Sequence, residues 1–247
     1  MAEVIQYTLG MSNGFFVKNR GIIAVDCGSE LGREGFLKVC EENGIAPQDI
    51  RLLIASHGHV DHFVNMDEMR AATGAPLMCH KNAARALREA EYPDVRPRNA
   101  AGRFIWDKKD PAEQPVPVLY PMEPDVLVEG TVDLAPWGID GRLVETFGHS
   151  DSCMSLILDS RQAIVGDLVV EDPRNGSATA AYFCCNDDLD AADQQVFASL
   201  GFLLDNADVF YSGHGGPFTR ADVVKALAEA KAEAAGRKDG AGRRDNA

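Results

Sequence analysis

Between His57 and His62 the sequence reads His-Gly-His-Val-Asp-His, which puts three of the chain's six histidines and a carboxylate into six consecutive residues. Imidazoles and a carboxylate at that density are the donors of a metal site, and little else requires them so close together. The run follows Arg51-Leu52-Leu53-Ile54-Ala55, a short apolar stretch that reads as a buried strand. The cluster therefore sits on the loop leaving a strand's C-terminal end, which is where α/β sheets place their chemistry. Residues two apart on extended backbone point to the same side, so His57 and His59 can bind one ion together. Asp61 and His62 come where the chain turns into the next helix and can face a second ion. The run contains no cysteine, which argues against a structural thiolate site.

The rest of the chain frames this loop. Val4 to Thr8, Phe15 to Lys18 and Ile22 to Val25 read as a three-stranded meander, with turns at Gly10 to Gly14 and at Asn19-Arg20-Gly21. Further strands are expected at Pro76 to Cys79, Val126 to Val128, Thr131 to Leu134, Gly141 to Thr146, Met154 to Leu158, Gln162 to Val165 and Asp208 to Tyr211. Helical spacing of apolar residues predicts helices over 30–43, 65–72, 81–90, 190–204 and 219–235. The segment 93–124 holds seven of the chain's 12 prolines and reads as a long irregular connection. Such a connection is either a lid or binding loop, with Arg96, Arg98, Arg103 and Trp106 as one wall of a substrate pocket, or a solvated insertion. The polar, Gly-rich residues 236–247 read as a disordered tail, which leaves 1–235 as one domain.

Composition narrows the partners. A net charge of −14 argues against a nucleic-acid partner, which would need clustered Lys and Arg. No segment approaches the length of a membrane span, and the N-terminus has neither a basic region nor a long apolar stretch. The six cysteines, Cys27, Cys40, Cys79, Cys153, Cys184 and Cys185, have no C-x-x-C spacing and suit reduced thiols, so the expected compartment is the cytoplasm. Oligomeric state is not legible.

Three further segments each place a donor-type residue in a glycine-containing loop after a predicted strand. They are Thr146-Phe147-Gly148-His149-Ser150, Val165-Gly166-Asp167 and Ser212-Gly213-His214-Gly215. With Asp26 after an early strand, the series Asp, H-x-H-x-D-H, G-H, G-D, G-H resembles the metallo-β-lactamase-fold metallohydrolase superfamily over about residues 4 to 220. That resemblance implies an α/β fold, a four-layer αββα sandwich of two mixed sheets with helices on the outer faces. It implies that His57, His59 and His149 hold one divalent ion, that Asp61, His62 and His214 hold a second, and that Asp167 bridges them. Zinc suits these donors, and iron and manganese accept the same set. Asp26 would support the metal loop.

The activity implied is hydrolysis of a small-molecule ester, thioester or lactone by a metal-bridging hydroxide, with Asp61 also handling the proton. Thiolate-using β-lactamases of this fold carry Cys where this chain has Asp167 and are secreted, so the resemblance does not extend to antibiotic hydrolysis. Phe63-Val64-Asn65 stands where many relatives carry glycine and is expected to bring an apolar ring near the site. Tyr182, or a thiol of Cys184 or Cys185, would touch substrate; His80 reads as a core or surface histidine and Cys153 as a small packing residue. Three other readings compete: a phosphodiester hydrolase relying on Arg96, Arg98 and Arg103, a mononuclear iron dioxygenase of persulfides, and a non-catalytic metal-binding sensor.

Overall fold

Alternation along the first strands decides which way each sheet faces. In the computed structural model, which describes residues 1–90, 94–108 and 121–242, β1 (Glu3–Leu9), β2 (Ser12–Lys18) and β3 (Ile22–Val25) form an antiparallel meander. β4 (Ile50–Ala55) and β5 (Leu77–His80) join in parallel. Past β6 (Arg96–Pro97), which pairs elsewhere, β7 (Val126–Val128) completes a six-stranded sheet in the order β1-β2-β3-β4-β5-β7. The second sheet uses β8 (Val132–Asp133), β9 (Gly141–Glu145), β10 (Met154–Leu158) and β11 (Gln162–Ile164). Two small ribbons follow, from β12 (Val169–Glu171) with β13 (Ala178–Ala180), and from β14 (Phe183–Cys184) with β6. β15 (Val209–Tyr211) and β16 (Phe218–Thr219) then extend the second sheet to the order β16-β15-β11-β10-β9-β8. Both six-stranded sheets are mixed.

Phe15, Val17, Ile23, Val25, Leu52 and Ile54 project from one face of the first sheet and pack with Leu143, Leu156, Leu158 and Ile164 of the second. Their neighbours Phe16, Ala24, Leu53 and Ala55 project from the opposite face. There they meet α1 (Arg33–Glu42), α2 (Val60–Phe63), α3 (Met66–Thr73) and α4 (Ala84–Glu89) through Phe36, Cys40, Met69 and Leu87. Another helix, α5 (Ala100–Lys108), follows β6. On the far side, Ile157, Ala163 and Phe210 meet Val196, Leu200, Val223 and Ala226 of α6 (Leu189–Asn206) and α7 (Arg220–Gly242). The result is the expected αββα order, with one core between the sheets and one under each helical layer. Each large apolar side chain so buried contributes roughly 1.5–3 kcal/mol. No helix among the described residues is long and apolar enough to cross a membrane.

Four expectations need correcting. The first turn is only Gly10-Met11, and Gly14 lies inside β2 opposite Tyr7, where a Cβ would stand 2.4 Å from the Tyr7 ring. That glycine marks a close approach, not a turn. Segment 93–124 is not irregular throughout, since it contains β6 and α5; Asn99 starts the helix by accepting from the Gly102 N–H at 2.9 Å. Residues 91–93 and 109–120, with Pro93, Pro111, Pro115 and Pro117, lie outside the described residues. α7 runs on to Gly242 past the expected end at 235, and Arg237 reaches Asp193 and the Arg98 carbonyl. Residues 243–247 lie outside the described residues. Phe63 turns away from the histidines into the outer core, because it falls on the inward face of α2.

Among the described residues Arg98 is the largest fully buried side chain, and its Nη1 lies 2.5 Å from Asp193 Oδ1 on α6. Removing one partner of a buried pair leaves the other charge uncompensated. Asp193→Ala, which leaves the buried Arg98 guanidinium without its carboxylate, is expected to lower the unfolding free energy by about 3–5 kcal/mol in denaturant titration. Arg96→Ala, which breaks an exposed pair with Asp187, should cost only about 0–1 kcal/mol.

Candidate metal centre

The donors reach one edge of the sandwich from loops that leave strand ends. His57 and His59 follow β4, Asp61 and His62 lie on α2, His149 follows β9, Asp167 sits in the tight turn after β11, and His214 follows β15. One potential ligand atom from each of His57, His59, His149 and Asp167 falls within 4.8 Å of the others, and the same holds for Asp61, His62 and His214. Asp167 touches both groups: its Oδ1 lies 3.3 Å from His62 Nε2, and its Oδ2 lies 3.3 Å from His214 Nε2 and 3.7 Å from His149 Nε2. Asp61 Oδ2 lies 3.1 Å from His214 Nε2. Gly213 makes room for this, since a Cβ there would stand 2.2 Å from Asp167 Oδ1.

Each of the five imidazoles keeps one nitrogen for the cluster and has the other anchored. His57 Nδ1 is held by Ser56 Oγ at 2.9 Å, His62 Nδ1 by Asp26 Oδ2 at 2.9 Å, His149 Nδ1 by the Phe183 carbonyl at 2.9 Å and His214 Nδ1 by the Met11 carbonyl at 2.9 Å. His59 is held the other way round, with Nε2 3.2 Å from Cys185 Sγ and Nδ1 2.8 Å from His149 Nε2. Among the described residues His57 Nε2, His62 Nε2 and Asp167 Oδ1 are buried with no hydrogen-bond partner. Buried polar atoms left so are costly, and divalent cations at the two donor groups would satisfy them, one at His57 Nε2 and one at His62 Nε2, with Asp167 between. The donors present fit such ions.

Asp26 supports the loop. It occupies the left-handed region at φ 56, accepts from the Ser56 N–H at 2.7 Å and from Ser56 Oγ at 2.8 Å, and holds His62 with the same carboxylate. Burial and the neighbouring imidazoles push the His57 pKa well down, and burial takes His59 to about 3, so both rings are in the neutral form that binds metal. Burial also opposes charge on His62, but Asp61, Asp167 and Asp26 outweigh it and hold its pKa up. His214 behaves alike through Asp167 and Asp61. Burial raises Asp167 and Asp61, and the charges of His62 and His214 overcome it and hold both carboxyls low.

The predicted pocket arginines are elsewhere engaged. Arg98 is buried, Arg96 pairs with Asp187 and Arg103 pairs with Glu233. These pairs remove the support they lent to a phosphodiester substrate. Tyr182 does lie at the centre, with its ring 6.2 Å from that of His214. His80 packs in the interior and bonds Glu145 at 3.0 Å. The carbonyls of Met11 and Phe183 escaped sequence reading, because a backbone acceptor leaves no residue-type signal, and Ser56 escaped it because a lone hydroxyl beside the histidine run does not announce its partners.

The family model described as "Metallo-beta-lactamase superfamily" matches residues 7–214. Metallo-beta-lactamase domain-containing protein 1 of Mus musculus is 40% identical over 165 residues, 61% of this chain and 58% of that protein. The chain thus spans little more than half of that relative's length. A metallo-beta-lactamase family protein from Thermus thermophilus superposes with a TM-score of 0.64 at 21% identity, covering 97% of this chain and 81% of that one. Another similar fold, crystallised in a di-iron-bound form, gives a TM-score of 0.54 at 24% identity, covering 88% of this chain and 96% of that one.

Asp26→Asn should weaken metal binding about 10–100-fold by replacing the acceptor for His62. Asn tolerates the left-handed backbone at this position, so the change isolates the carboxylate. Competition titration with a chelator checks this, and wild-type affinity in the variant would remove Asp26 from the support of the centre.

Proposed function

The chain belongs to the metallo-β-lactamase superfamily, and from that starting point we propose that it is a dinuclear metal-dependent hydrolase of a small-molecule ester, thioester or lactone. The observation that carries this reading is the donor set, five anchored imidazoles turned onto two carboxylates. In it His57, His59 and His149 hold one ion, Asp61, His62 and His214 hold the other, and Asp167 lies between. Two divalent ions there supply Lewis acidity and water acidic enough to ionise near neutral pH. Zinc is the proposed ion from the imidazole and carboxylate donors. The di-iron-bound protein of similar fold makes iron its competitor.

The residues themselves govern access and proton transfer. His57, His59 and His149 are buried and keep bulk water from the first position. Asp61 and His214 leave 26% and 17% of their side chains exposed, which supports substrate entry on their side, past Tyr182. Asp61 Oδ2 is our candidate to take the proton from the attacking water and return it to the leaving group. The second donor group, Asp61, His62 and His214, speaks against the mononuclear iron dioxygenase, and its exposure speaks against a closed sensor site. Six free thiols support a cytoplasmic setting, and the acidic surface supports a small molecule over nucleic acid.

Elemental analysis of purified protein is expected to find two zinc ions per chain, falling to about one or fewer in His149→Ala, with loss of turnover on a panel of acyl esters, thioesters and lactones. Metal-replete protein that turns over no panel member would sink the hydrolase reading, and a single iron per chain would bring the dioxygenase forward.

A further inference from the structure

The segment from Ala181 to Cys185 touches three of the five clustered histidines. The Phe183 carbonyl meets His149 Nδ1, the Cys185 N–H donates to the His149 carbonyl at 3.0 Å, the Tyr182 ring faces His214, and Cys185 Sγ meets His59 Nε2. The segment is fixed from behind. β14 pairs with β6, the Arg98 N–H donates to the Tyr182 carbonyl at 2.8 Å, and Arg98 Nε donates to the Ala181 carbonyl at 2.5 Å. Arg98, expected to meet substrate, instead holds the segment that meets the histidines.

One anchor in this set differs from the rest. Four imidazoles are held by oxygen, whereas His59 is held by a thiol sulfur. His59 Nδ1 faces His149 Nε2, so when Nδ1 offers its lone pair to an ion, the ring proton resides on Nε2 and points at Sγ. The sulfur stands beyond the ring edge opposite Nδ1, which makes it a support for the ligand and not an eighth donor. Cys185 also lines a cavity of about 450 Å3 with Gly148, Ser150, Asn186 and Gln195, so this anchor is reached from the solvent side.

We infer that Cys185 is a positioning residue, whose sulfur accepts from His59 Nε2 and thereby fixes the tautomer and ring angle with which His59 meets the ion it shares with His57 and His149. This rests on the donor set above and is independent of which bond the enzyme cleaves.

The test uses Co2+ alone. Metal-free full-length protein is titrated against a competing chelator while the visible Co2+ spectrum is followed, with His59→Ala identifying the binding step that depends on this ligand. Cys185→Ala is expected to weaken that step about 10–100-fold and alter its spectrum, with the other step and the metal-free melting temperature unchanged. Cys185→Ser, which keeps an acceptor, is expected to regain most of the affinity. Wild-type affinity and spectrum in Cys185→Ala would overturn the inference, as would a serine variant as weak as the alanine one. A Co2+ titration unchanged in His59→Ala would overturn the donor set itself and this inference with it, whatever the outcome of the hydrolysis panel.

Discussion

Seven ionisable side chains share one edge of the sandwich, and their desolvation is the constraint to which the surrounding structure answers. A buried charge is tolerated only when paired, and a buried imidazole only when its nitrogens are satisfied. The chain meets this by anchoring one nitrogen of every clustered ring and leaving the other turned inward. What remains without a partner there, His57 Nε2, His62 Nε2 and Asp167 Oδ1, is spread over the two donor groups that Asp167 joins. Divalent metal binding is the chemistry that suits that remainder.

The two sheets contribute differently. The first delivers the histidine run on the loop after β4, and Asp26 at the end of neighbouring β3 locks that loop through Ser56 and His62. The second delivers His149, Asp167 and His214 singly, from three separate strand ends. Neither sheet forms the cluster alone. It exists because Phe15, Leu52 and Ile54 pack against Leu143, Leu156 and Ile164, which brings the two loop edges together.

Segment 94–108 shows how position can be controlled from a distance. Its Arg98 is buried against Asp193 of α6, and Arg237 from the last turns of α7 reaches the same carboxylate. Through the carbonyls of Ala181 and Tyr182, that ionic knot holds the strand that carries Phe183 and Cys185 to the histidines. An arginine in a proline-rich stretch reads as a surface or pocket residue, since nothing local announces a buried partner 95 residues away.

The sequence by itself determined the strand alternation and the donor run around Asp61, because side-chain periodicity and histidine density are local properties of the chain, whereas the αββα layering and the joining of His149, Asp167 and His214 to that run were legible through the resemblance to the superfamily. Only the tertiary structure decided which donor atoms face one another, that Met11, Phe183 and Cys185 anchor the rings, and that Arg98 is structural. Those facts depend on contacts between residues far apart in the chain, made through backbone carbonyls and buried pairs that no residue type signals in advance.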